Sequence, residues 1–121
     1  MTRNLDAGSD FAYVLKAASD PDPLVLLGAI GDTYQEMIDS NIPARAQGIA
    51  AEIQANRPDI IGLQEVTTLR TGPYGYPSDT VVVDGLQSLL QALQDRGLHY
   101  KAIAVQTNSS IDLPDMDRSY I

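Results

Sequence analysis

The chain has 121 residues, of which 44% are hydrophobic and 20% charged, a composition typical of a folded domain. Its length allows one domain with a modest core. The absence of cysteine excludes disulfides, thiolate metal sites and cysteine nucleophiles. Acidic residues outnumber basic ones by 16 to 8 and the basic residues are scattered, so a broad nucleic-acid-binding groove is not expected.

The sequence contains no candidate membrane span and no visible targeting segment. Its longest apolar run, residues 24–30, is far too short to cross a bilayer. Polar residues follow Met1 directly, which is not the pattern of a signal peptide. A secreted or periplasmic parent protein whose leader had been removed would look the same, so the sequence does not determine the cellular compartment.

The first half of the chain is predicted to be mainly helical. Residues 1–10 are polar and hold the end of one strand at most. Residues 11–18 have helical spacing, and residues 24–39 predict a helix from about Asp32 onward. In residues 44–56 the apolar side chains recur on one stripe, which predicts an amphipathic helix.

Helix and strand alternate in the second half. Five segments are predicted there: a buried strand at 59–66, a Gly- and Pro-rich loop at 67–79, a helix starting at Asp84, a strand at 99–105, and an irregular acidic tail at 106–121. With the first half this gives the order strand, helix, strand, helix, strand. The sequence therefore predicts a single α/β layer over residues 1–121.

Glu65 is the most informative residue. It stands at the carboxyl end of the predicted strand 59–66, where ligand sites in α/β sheets gather. A carboxylate there suits a hard cation such as Mg²⁺, which prefers oxygen ligands. The alternative interpretation, and the commoner one for position alone, is a carboxylate that merely ends the strand in solvent.

Several segments resemble the endonuclease/exonuclease/phosphatase family. Residues 57–66, RPDIIGLQEV, look like its "PD-hydrophobic-hydrophobic-x-LQE" signature. Three further segments match: residues 2–5 resemble its first strand, residues 45–53 its helix before the LQE strand, and residues 84–100 its next helix and strand. These matches follow the family's order and spacing. Together they extend the resemblance over nearly the whole chain.

This resemblance implies a fold, an activity and two site residues. Glu65 would be a ligand of the catalytic Mg²⁺ or Mn²⁺, and Asn4 would orient the phosphate or the attacking group beside it. The fold would be half of a DNase I-like four-layer α/β sandwich, with one sheet and helices on one face. The reaction would be hydrolysis of a phosphodiester or phosphomonoester. The acidic balance favours a small or lipid-like substrate over long DNA.

Part of the family's pattern is missing. The family completes its site with Asp-x-Asn and Ser-Asp-His segments, which this chain lacks. We therefore predict an N-terminal half that is incomplete as a catalyst on its own. Its exposed sheet face would be covered in a homo-oligomer or by a missing C-terminal half. The alternative is a non-catalytic α/β assembly or ligand-binding module derived from that fold.

Other polar residues have simpler interpretations. His99, the only histidine, falls where the family places no catalyst, and we expect a surface or hydrogen-bonded role for it rather than that of a general base. Asp6 stands where related sequences tend to carry an aromatic residue. The Gly-rich setting of Asp6 and Asp10 favours turn-forming side chains over a carboxylate pair.

Two remaining groups lie in loop or tail segments. Asp112, Asp115 and Asp117 lack the Gly and closing Glu of a calcium loop, so a solvated acidic tail is expected. For Tyr74 and Tyr76 two interpretations stay open: lining a substrate cleft, or packing locally within their loop.

Overall fold

The chain folds as a mixture of helices and short strands, the mixed α and β class that was predicted. A computed structural model describes residues 1–73 and 78–108, together with the backbone of residues 119–120. The elements follow the order β1 (Thr2–Asn4), α1 (Ala12–Ala17), α2 (Pro23–Asp39), α3 (Ile42–Asn56), β2 (Gly62–Gln64), β3 (Thr68–Pro73), β4 (Thr80–Asp84), α4 (Gly85–Asp95) and β5 (Ser119–Tyr120).

Strands β1 and β2 form a parallel pair. Thr2 lies opposite Gly62 and Asn4 opposite Gln64. The pairing continues beyond the strands, because the Leu5 amide donates to the Gln64 carbonyl at 2.9 Å. Parallel strands need a crossover connection, which the helices between them supply. Both strands therefore end at the same edge of the sheet.

The hydrophobic core lies between this strand pair and helices α3 and α4. Its most completely buried large side chains are Ile53, Leu89 and Leu93. The predicted apolar stripe of α3 is confirmed, since Ala46, Ile49, Ala50 and Ile53 are all buried. Ile61 and Leu63 pack against the same cluster from the strand side. The core thus covers one face of the β1–β2 pair.

Helix α2 begins earlier than the sequence predicted. It starts at Pro23 rather than near Asp32, so the prediction for residues 24–31 was wrong. The Asp22 side chain accepts a hydrogen bond from the Leu24 amide at 3.0 Å, and proline is compatible with the first helical position. None of the helices in the described ranges is long and apolar enough to cross a membrane.

The segment predicted as a loop at 67–79 contains a strand. Strand β3 pairs antiparallel with β4, with an irregularity between Leu69 and Arg70. The β-branched threonines and valines on both strands favour this pairing, and Gly72 and Pro73 stand only at its end. The backbone of β5 pairs with the same end of β3, so the expected irregular tail contains a short strand.

The strand predicted at 99–105 is absent. Residues 101–108 are exposed, and within the described part of the chain they form no backbone hydrogen bonds to β2. Alternation alone does not make a strand, because a strand needs a partner for its backbone groups. Strand β2 is likewise shorter and less buried than predicted. Ile60, Ile103 and Val105 are 74%, 82% and 72% exposed.

Two matched substitutions test this division between core and open side. Ile53→Val should lower the free energy of unfolding by about 0.5–1.5 kcal/mol, because it removes a methyl group from a filled core. Ile103→Val should change it by less than about 0.5 kcal/mol, because that side chain is exposed. Urea unfolding followed by circular dichroism measures both, and equal losses would contradict the placement of the core.

Candidate functional site

Asn4 and Glu65, the two residues selected from the sequence, lie next to each other. Asn4 ends β1, and Glu65 directly follows the last residue of β2. The Asn4 Nδ2 atom donates a hydrogen bond to Glu65 Oε1 at 2.8 Å, although the residues are 61 positions apart in the chain. The parallel pairing creates this contact, because it brings both carboxyl ends to one edge of the sheet.

The backbone turns sharply after each strand. Glu65 has a φ of 53° and Asp6 a φ of 65°, both in the left-handed region. Such a conformation costs a non-glycine residue on the order of 1 kcal/mol, so neighbouring contacts have to maintain it. For Glu65 these contacts include the Ala7 amide, which donates to Oε2 at 3.3 Å. The turn thereby directs the carboxylate toward the loop after β1.

That loop, residues 5–9, is organised by side chains that bind its own backbone. Asn4 Oδ1 accepts from the Asp6 amide at 2.7 Å, and Asp6 Oδ1 accepts from the Gly8 amide at 2.9 Å. Asp10 accepts from the Ala12 amide in the same way at 2.9 Å. These are Asx-type turns, as predicted for Asp6 and Asp10. The side-chain amide of Asn4 therefore makes hydrogen bonds at both ends, through Nδ2 to Glu65 and through Oδ1 to the Asp6 backbone.

Arg45 joins the site from α3. Its Nη1 lies 3.3 Å from Asp6 Oδ2, and its Nη2 donates to the Asp6 carbonyl at 3.1 Å. In the family resemblance, Arg45 belongs only to the helix before the LQE strand. The chain offered no local signal for this contact, because the loop and the helix meet only in the folded protein.

The Glu65 carboxylate is the oxygen group at this edge that could contact a hard cation. Glu65 is exposed, and each of its carboxylate oxygens accepts one hydrogen bond, which leaves lone pairs available. Magnesium is often bound by one or two carboxylates and keeps several waters or substrate oxygens. Within the ranges that the structure describes, no group of three or more His, Cys, Asp or Glu side chains could hold a metal.

A wide cleft opens beside Glu65. Its volume is about 1280 Å³, and Glu65, Tyr34, Ile60 and His99 are among the residues that line it. Apolar side chains therefore stand beside a carboxylate at its wall. The His99 side chain is exposed there, in keeping with the expected surface position. Tyr74, Tyr76, Asp112, Asp115 and Asp117 lie outside the described residues.

Comparisons of the chain with protein-family models, with curated proteins and with solved structures find no match. The contacts among Asn4, Asp6, Arg45 and Glu65 are the observations on which a function is proposed.

The role of Asn4 in ordering this edge is testable by stability. Asn4→Ala removes both the acceptor for the Asp6 amide and the donor to Glu65. It should lower the free energy of unfolding by about 1–2 kcal/mol, because two hydrogen bonds between exposed residues are lost. Asn56→Ala, which removes one hydrogen bond at the end of α3, should cost less than about 0.5 kcal/mol. Similar losses in urea unfolding would contradict the ordering role.

Proposed function

We propose that this chain is the N-terminal part of a divalent-metal-dependent phosphoester hydrolase, with Glu65 as the ligand of Mg²⁺ or Mn²⁺. The observation that supports this most is the hydrogen bond between Asn4 and Glu65 at adjoining strand ends. The resemblance to the endonuclease/exonuclease/phosphatase family independently names these two residues as site residues. They lie 61 positions apart in the chain, and the fold brings them together.

The two residues would have different roles. Glu65 would hold the cation, which when bound withdraws charge from a phosphoryl oxygen and helps water to attack. Asn4 would orient the phosphate or the attacking group. Its amide nitrogen carries two hydrogens, and one remains for such a contact while the other binds Glu65. Because both ends of the amide are engaged, its orientation is maintained before substrate arrives.

The fold that we propose is half of a DNase I-like four-layer sandwich. Support comes from the alternation over residues 60–64: Ile61 and Leu63 pack against the hydrophobic core, whereas Ile60, Gly62 and Gln64 are exposed. Helices thus cover one face, and the opposite face is open. A second copy of the chain or a C-terminal half would cover it.

The substrate that we propose is a small or lipid-like phosphoester. A net charge of −8 repels the phosphates of long nucleic acids. The cleft beside Glu65 has apolar residues such as Ile60 in its wall, which suit an apolar substituent on the ester.

A second candidate is a non-catalytic module that works by assembly or ligand binding. The specific observation in its favour is the exposure of Ile60, Ile103 and Val105, which all line the cleft. Apolar side chains of this kind mark interaction surfaces when they form a patch. This candidate retains the fold and predicts no turnover.

Metal binding is tested with two Glu→Gln substitutions. Calorimetric titration with Mn²⁺ should give the same affinity for the wild type and for Glu52→Gln. Glu52 is the control because it lies on α3, where its carboxylate pairs with Arg3 of β1 at 3.1 Å. Glu65→Gln should bind at least about tenfold more weakly, a loss of about 1.4 kcal/mol or more, because a charged ligand is gone. Equal affinities for all three proteins would contradict the assignment of Glu65.

Hydrolysis of a chromogenic phosphodiester tests whether these residues catalyse the reaction by themselves. With Mg²⁺ or Mn²⁺ present, turnover that is lost in Glu65→Gln and retained in Glu52→Gln supports the hydrolase. Turnover in the wild type that does not exceed that of Glu65→Gln would leave these residues as an incomplete catalytic half or as the non-catalytic module.

Assembly is tested by sedimentation velocity over a range of concentrations. The wild type should form dimers or larger species, and Ile60→Lys should shift the equilibrium toward monomer by about tenfold or more, since it places a charge on the open face. Leu15→Lys on α1, where the side chain is 70% exposed, is the matched control and should leave the equilibrium unchanged. A compact wild-type monomer at high concentration would contradict the homo-oligomer.

A further inference from the structure

We infer that Arg45 is a positioning residue for the proposed metal site, acting on Glu65 through Asp6 and Asn4. This inference rests on the proposed function, since it concerns how tightly the site holds a cation. No contact between Arg45 and Glu65 occurs among the described hydrogen bonds and ion pairs. Any positioning effect of Arg45 on the carboxylate therefore passes through other residues.

Three successive links connect the guanidinium to the carboxylate. Arg45 binds Asp6 twice, through the carbonyl at 3.1 Å and the carboxylate at 3.3 Å. The Asp6 amide donates to Asn4 Oδ1 at 2.7 Å. The Asn4 amide nitrogen in turn donates to Glu65 Oε1 at 2.8 Å. The links use different atoms of Asp6 and opposite ends of Asn4, so all can exist together.

Asp6 needs this support because of its backbone conformation. Its φ of 65° is unfavourable for a residue with a Cβ atom, although Asp tolerates it better than most. Its side chain is 68% exposed, so packing contributes little to holding it. A guanidinium is a planar fork that can bind a carbonyl and a carboxylate at once, which an ammonium group does less well. Arg45 therefore fixes the orientation of the whole residue.

Arg45 is itself held by the helices. Its helix, α3, is anchored through the buried Ala46 and Ile49. Its Nη2 also reaches Ser40 Oγ at 3.4 Å, at the junction of α2 and α3. Gly8 lies against this junction so closely that a Cβ atom there would stand 2.7 Å from Ser40 Oγ. The core thereby sets the position of the guanidinium, and the guanidinium sets the position of the loop.

The charge of Arg45 allows the positioning effect to be separated from electrostatics. Removing a positive charge near a cation site should strengthen cation binding if only Coulomb interactions matter. Loss of a positioning contact should weaken it, and substitution of such outer partners typically lowers metal affinity by about 10–100-fold. The two explanations predict opposite signs.

The experiment measures Mn²⁺ affinity by calorimetry for the wild type, Arg45→Gln, Arg45→Lys, Arg96→Gln and Glu65→Gln. We expect about tenfold weaker binding for Arg45→Gln and a smaller loss for Arg45→Lys. Arg96→Gln is the matched control. It removes contacts to Gln54 and Gln47 between α3 and α4 without touching the loop, and should change the affinity by less than about twofold.

A second readout needs no metal. Hydrogen exchange of the Asp6 and Ala7 amides should accelerate in Arg45→Gln and not in Arg96→Gln. Unchanged exchange at these amides, or an affinity in Arg45→Gln equal to or above that of the wild type, would overturn the inference. If Arg45 fails either test while Glu65→Gln still binds Mn²⁺ more weakly than the wild type, the proposed function stands without a role for Arg45. If the wild type binds no Mn²⁺ or Glu65→Gln binds normally, the proposed function fails, and the metal-site role of Arg45 with it.

Discussion

The parallel pairing of β1 with β2 is the interaction on which the candidate site depends. Because both strands run in the same direction, Asn4 and Glu65 reach the same edge of the sheet. A slip of one residue in this register would turn the side chains of β1 to the opposite face. The pairing is held from one side by α3 and α4, whose buried residues Ile53 and Leu89 pack beneath the strands. Core packing and site geometry are therefore two consequences of one arrangement.

The two faces of this strand pair have different surroundings. One face is closed by helices, and the Arg45 guanidinium on α3 binds Asp6 in the loop after β1. The other face is open, with Ile60 largely exposed beside the cleft that Glu65 borders. An open apolar face next to a carboxylate is what an incomplete catalytic half and an assembly module have in common. Metal-dependent turnover by these residues would exclude the non-catalytic module.

The sequence predicted those features that depend on local pattern or on a family signature. The stripe of α3 follows from spacing. The resemblance named Asn4 and Glu65 as site residues, and the structure places their side chains in contact. Features that depend on a distant partner were missed. Residues 99–105 alternate like a strand, yet no partner for them is described. Thr68–Pro73 contains turn-forming residues, yet it pairs with a valine-rich neighbour. The contact of Arg45 with Asp6 joins segments 39 residues apart and has no signature in either.

The central claim, that Glu65 and its neighbours hold a divalent cation, is tested most directly by paramagnetic broadening. Substoichiometric Mn²⁺ would be added to the ¹⁵N-labelled protein while amide signals are followed by NMR. We expect the amides of Leu5, Asp6 and Ala7 and those of Glu65 and Val66 to broaden first, because the cation would lie beside them. Broadening that begins instead at the acidic residues near Asp20 and Asp22, with these signals unaffected, would contradict the account.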